Sequence, residues 1–155
     1  MHIAAFTPAG QVVMEGSAVT ATAVPQTDLY LPPLKGDQVH QITAPILLCV
    51  WAENGIDPNP CFYVQARDPD GQTRGNAEII WLWDDVANRP AKWRVWNLML
   101  PFLVFGEGVY TFGVFKQPDD PIDEALASYP FPIIFDPALQ PLPPGTELPP
   151  GVEFR

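Results

Sequence analysis

The chain has 155 residues, with 8 Lys+Arg against 18 Asp+Glu, a formal charge of −10 at pH 7 and a pI near 4.3. That length holds one domain, and an apolar content of 47% is too high for an intrinsically disordered chain. So few basic side chains leave no stripe to neutralise nucleic-acid phosphates, so no nucleic-acid partner is expected. Proline is the outlier at 20 residues. Each proline inside a helix costs about 3 kcal/mol, and the scatter of prolines excludes helical bundles and α/β barrels.

The first eight residues, Met1 to Pro8, lack a basic region and a long apolar run, so no secretory signal is expected. Residues 11–24 alternate in the manner of a strand, with Gly16 as a bend or bulge. Residues 25–36, containing Pro32-Pro33, are a loop. A strand over 39–51 ends in the apolar run Ile46-Leu47-Leu48-Cys49-Val50-Trp51, as a central strand does. The longest apolar run, 44–52, is interrupted by Pro45 and is roughly half the length a bilayer-spanning helix needs, so no membrane is expected. The next strand, 61–67, turns Phe62, Val64 and Ala66 to one side.

Asp68-Pro69-Asp70-Gly71 is a turn by its chemistry: proline pre-sets φ, aspartate caps locally and glycine accepts positive φ. Strands follow over 78–83, 92–103 and 109–115, the last with Tyr110, Phe112 and Val114 on one face. Asp120-Pro121, followed by Asp123 and Glu124, predicts one or two helical turns through Ala127. A final strand over 128–135 is pushed to a sheet edge by Pro130 and Pro132. Eight prolines fall between Pro130 and Pro150, giving the end of the chain polyproline character. The expected fold is all-β: an antiparallel, immunoglobulin-like Greek-key β-sandwich of seven or eight strands over residues 1–136, with an extended proline-rich arm over 137–155. Leu48, Val50, Phe62, Val64, Tyr110, Phe112 and Val114 are its predicted core.

Four pieces, Ala9 to Gly16, Asp68 to Gly71, Leu100-Pro101-Phe102 and Gly108 to Phe112, resemble the pattern of a group of bacterial immunoglobulin-like domains of uncharacterised activity. The resemblance spans roughly Ile3 to Ile134 and implies the sandwich fold. It carries no activity, and no functional residue is transferred from it.

Five tryptophans, Trp51, Trp81, Trp83, Trp93 and Trp96, crowd the middle of the chain. A sandwich interior has limited room for five indoles, so the 78–96 segment, read as an aromatic hairpin, is expected to present Trp81, Trp83 and Trp96 to a partner. In the arm, Leu139, Leu142, Leu148 and Phe154 stand between prolines, where a grooved surface can accept them. The acidic clusters lack the ligand count of a calcium site: in the loop from Asp68, Arg74 stands at a ligand position. Two His and two Cys scattered along the chain do not make a zinc site, and no nucleophile elbow or phosphate-binding loop occurs. The expectation is therefore a non-enzymatic structural or interaction module, with no cofactor and no metal. It docks on a protein partner, or on copies of itself, through the aromatic hairpin and the arm. The alternative is a small-ligand or carbohydrate-binding sandwich that uses the Trp81/Trp83 face. A cytoplasmic location, or a place in a cytoplasmically assembled particle such as a virion, fits the missing signal, and free thiols are expected at Cys49 and Cys61.

Overall fold

Alternation along each strand decides which side chains meet in the interior. The computed structural model describes residues 1–16 and 18–139, and among these it contains ten strands and one 3-10 turn, with no α-helix. In chain order the strands are β1 (His2–Pro8), β2 (Gln11–Glu15), β3 (Ala18–Thr22), β4 (Leu29–Leu31), β5 (His40–Glu53), β6 (Cys61–Arg67), β7 (Thr73–Ile80), β8 (Ala91–Val104), β9 (Gly108–Phe115) and β10 (Ala127–Phe135). One sheet is antiparallel, in the order β1-β5-β8. A second has the order β4-β10-β9-β6-β7 and is mixed, because β4 runs parallel to β10. β2 and β3 form a separate hairpin.

Alternate residues of β5, from Ile42 through Ala44, Ile46, Leu48 and Val50 to Ala52, are buried. They share one core with Phe62 and Val64 of β6, Leu100 and Phe102 of β8, Tyr110, Phe112 and Val114 of β9, and Phe131 and Ile133 of β10. All seven residues predicted as core are 1% exposed or less. Each fully buried large apolar side chain contributes about 1.5–3 kcal/mol relative to exposure. A one-residue slip would turn a whole strand's apolar set outward, so the buried face pins the registers.

The structure departs from the sequence expectation in five places. Among the described residues there are ten strands, not seven or eight: β1 lacks a clean alternation and β4 is only three residues long, just ahead of Pro32-Pro33. Residues 11–24 are not one bent strand, because Gly16, at φ +63°, turns the chain back into the β2–β3 hairpin. Residues 78–96 are not a hairpin either. β7 pairs with β6 in one sheet and β8 with β5 in the other, so residues 81–90 cross between sheets. The predicted helix shrinks to the 3-10 turn Ile122–Glu124, because the Asp120 carboxylate accepts from the Gln117 N–H (2.9 Å) and caps no helix. Finally, β10 lies between β9 and β4. Only Ile133, Ile134 and Phe135 pair with β4, so Pro130 and Pro132 still lie on a stretch with one neighbouring strand.

At the Asp68–Gly71 turn, side-chain chemistry acts as expected. Asp68 Oδ1 accepts from the N–H groups of Asp70 (3.0 Å) and Gln72 (2.8 Å), and Oδ2 accepts from Arg74 Nε (2.6 Å). Burial, the largest single influence, would raise the Asp68 carboxyl. The Gln72 N–H, the Arg74 guanidinium and the Asp70 N–H together outweigh it and hold the group below its ordinary value. Just beyond the turn, Gly75 of β7 lies against β8, where a Cβ would come within 2.4 Å of the Pro101 carbonyl oxygen and 2.6 Å of Phe102 Cβ. The two sheets close on each other at this corner, and the nearest obstacle is backbone. Gly75→Ala therefore forces the sheets apart and is expected to lower stability by about 1–3 kcal/mol in chemical denaturation. An unchanged denaturation midpoint would show that this corner yields freely.

Candidate functional site

The crossover from β7 to β8 builds an aromatic cluster at one end of the core. Trp81 stands edge-on to Phe62 (5.6 Å between ring centroids) and to Trp96 (4.6 Å), Trp96 stands edge-on to Phe62 (5.9 Å), and Trp83 lies 5.3 Å from Trp81. Trp83 is only 6% exposed, and Trp81 and Trp96 are half-buried against the core. The structure thus brings Trp81, Trp83 and Trp96 together as the lining of the core's end. What the crossover exposes are the residues between and beside them, Ile80 (64%) and Leu82 (79%).

A buried lysine holds this crossover in place. Lys92 is 1% exposed; its Nζ donates to the Trp83 carbonyl (2.8 Å) and to Asp85 Oδ1 (3.0 Å), and stands 5.2 Å from the Trp83 ring centroid. Asp85 in turn accepts from the Gly55 N–H, which ties in the β5–β6 loop (2.9 Å). The Gly55 N–H first, and the Lys92 ammonium second, hold the Asp85 carboxyl below its ordinary value.

The outer face of the three-stranded sheet carries a second aromatic row. His2, Trp51 and Trp93 occupy one rung across β1, β5 and β8. The His2 ring stacks on Trp51 at 4.5 Å and Trp51 on Trp93 at 6.0 Å, leaving Trp93 58% exposed. Beside it a groove of about 540 Å³ follows the first half of β8, lined among others by Met14, Val86, Arg89, Trp93, Arg94 and Trp96. Three of the chain's eight basic residues, Arg89, Lys92 and Arg94, line it within six positions, and among the described residues no acidic one does. Lys92 is paired with Asp85; neither Arg89 nor Arg94 makes an ion pair among the described residues. The whole-chain charge of −10 hid this local excess, although Arg89-Pro90-Ala91-Lys92-Trp93-Arg94 is visible in the sequence.

Elsewhere the polar groups engage one another. The Tyr63 hydroxyl donates to Glu78 Oε1 (3.0 Å), and that carboxylate pushes the phenol up to about 12, where it stays protonated at neutral pH and cannot act as a base. Arg67 donates to Gln65 Oε1 (2.8 Å) and to the Asp120 carbonyl (2.6 Å) over the Phe115 ring, which clamps the β9–β10 connection. Cys49 on β5 and Cys61 on β6 are free thiols in different sheets, and burial pushes the Cys49 thiol up. Among the described residues no group of three or more His, Cys, Asp or Glu is placed to hold a metal ion. Leu139 is exposed just past β10; Leu142, Leu148 and Phe154 lie outside the described residues. No protein-family model matches the chain, and comparisons with curated proteins and with solved structures return no significant match.

Removing Asp85 leaves the buried Lys92 ammonium with the Trp83 carbonyl alone, whereas replacing the lysine by an apolar chain of similar length removes the charge itself. Asp85→Ala is therefore expected to destabilise the fold more than Lys92→Met in thermal melts at pH 7. Because the Asp85 carboxyl sits below its ordinary value, its contribution is complete above the unfolded value of about 4 and is lost as pH falls through the folded one. The gap between wild type and Asp85→Ala should accordingly close in acid; a gap constant with pH would refute the pairing.

Proposed function

We propose that the chain is a non-enzymatic interaction module on an immunoglobulin-like Greek-key sandwich. Strand order supports the fold assignment: β1, β5 and β8 take the places of strands A, B and E, while β6, β9 and β10 take those of C, F and G. A tyrosine at the start of the F-like strand supports it further. The Tyr110 hydroxyl accepts from the Phe105 N–H and donates to the Gly106 carbonyl, both at 3.2 Å, in the manner of the tyrosine corner of such domains.

One observation carries the functional reading. Four large apolar side chains are more than half exposed among the described residues, and two of them, Ile80 and Leu82, adjoin Trp81 and Trp83 of the aromatic end cluster along the chain. Large exposed side chains gathered at a rigid, tightly packed end favour docking by a protein partner or a second copy, since isolated surface apolar residues would be scattered. The lysine clamp beneath them holds that end in shape, so little ordering entropy is lost on binding. The proline-rich arm over 137–155, with Leu139, Leu142, Leu148 and Phe154, is assigned to the same assembly, because prolines lower the entropy lost on ordering. A subunit of a cytoplasmically assembled particle fits this reading.

The test compares full-length chain, an Ile80→Asp/Leu82→Asp variant and a chain ending at Ala138, in sedimentation and in co-purification from the native source. All three should melt within about 2 °C of one another, since exposed substitutions scarcely move stability. Association of each variant should weaken tenfold or more, about 1.4 kcal/mol. Undiminished association of both variants would sink the proposal.

A further inference from the structure

Among the described residues β8 is the last strand of its sheet, and along 91–97 it pairs on one side only, with β5. Its far half is closed by the contact of Pro101 and Phe102 with Gly75 of β7. Beside the near half stands the β2–β3 hairpin, with the Asn97 side chain donating to the Val12 carbonyl (2.8 Å) and Met14 and Gly16 lining the far side of the groove, but no described strand pairs with this edge. There is no proline from Ala91 to Met99, and the register with β5 runs without a bulge. The inward-pointing Lys92, a common guard of sheet edges, is neutralised by Asp85. An unpaired edge is a template for another extended chain, whose main chain would hydrogen-bond to the N–H and C=O groups it leaves unpaired.

Features of the groove specify the chemistry of that chain. Among the described residues every charged one that lines it is cationic, on a molecule whose net charge is −10. Arg89 and Arg94 have no carboxylate partner among the described residues, and the Arg94 guanidinium lies over the Trp96 ring at 5.9 Å from its centroid, at the outer range of a cation–π contact that leaves its N–H groups able to donate. Trp93 and Val86 supply apolar contact beside these charges. We propose that Ala91–Asn97 of β8 accepts an extended, carboxylate-bearing peptide as an added strand. Arg89 and Arg94 hold its acidic side chains, in bidentate fashion where geometry permits, and Trp93 packs on its alternate apolar ones. The seven residues of edge offer about 20 Å, enough for a peptide of six or seven residues. This rests on the interaction-module reading and gives the partner its chemistry.

Selection of the full-length chain against a displayed library of random seven-residue peptides tests it. The expected result is recovery of Asp- or Glu-bearing sequences with β-branched or aromatic residues at alternate positions. Synthetic copies should bind with an affinity that falls with added salt. Binding should drop tenfold or more for Arg89→Glu/Arg94→Glu, a variant of two exposed or edge residues whose thermal midpoint is checked first, and for peptides N-methylated at alternate amides. Failure to enrich any peptide, enrichment of basic sequences, or affinities indifferent to the arginine variant would each overturn the proposal. So would uronic-acid oligosaccharides that bind at these arginines when no peptide does. Loss of assembly in Ile80→Asp/Leu82→Asp with no peptide recovered would leave the module reading intact and remove this inference alone.

Discussion

The antiparallel ladder between β5 and β8 is the constraint on which the rest depends. It runs unbroken from His40 opposite Val104 to Glu53 opposite Ala91. While β5 and β8 pair with each other over their full length, the strands between them in sequence, β6 and β7, pair in the opposing sheet. The chain must then cross back over residues 81–90, and the crossing is where the indoles collect. Trp81 and Trp83 belong to this crossing, outside both sheets, and pack at the end of the core.

That arrangement accounts for an apparent contradiction, a lysine at 1% exposure in a chain with few cations. Lys92 belongs by parity to the inward face of β8, at the level where the core gives way to the crossover. A buried ammonium is costly unless paired, and the pairing it finds, with the Trp83 carbonyl and Asp85, is what fixes the path of the crossover. The charge contributes little as a stabiliser and much as a locator. The exposed Leu82 lies on the crossover that this pairing holds.

What could be read from the sequence were features set by neighbours along the chain. The core positions followed from alternation, because a buried face permits only one parity. The turn at Asp68 followed from residues that bond to their own backbone. Sheet membership could not be read this way. Whether β7 and β8 form a hairpin depends on which partner each prefers, and β8's partner lies at least 38 residues earlier in the chain. The same holds for the exposed aromatic. Trp81 and Trp93 look alike in the sequence, but Trp93 faces outward beside Trp51 and His2, whose distance along the chain hides the row they make. Asp120 misled for the opposite reason: it had a helix-capping sequence context but a nearer acceptor role, toward Gln117.

The ladder also has a cost while the chain is being made. β5 contains the run Ile46 to Trp51, uncharged and rich in residues that favour strands, the composition that aggregates when left unpaired. On the ribosome β1 is already available to cover one side of it, but the other side waits until β8 emerges, beginning at Ala91 and finishing at Val104. At synthesis rates of roughly 5–20 residues per second, that wait lasts on the order of seconds. Pro45 on one flank and Glu53 on the other bracket the run, as gatekeeping residues do around strands that cannot be made polar. The hydrogen bonds that hold the finished sandwich together are thus among the last to become possible. Until they form, the most apolar strand of the protein has an open side toward every other nascent chain nearby.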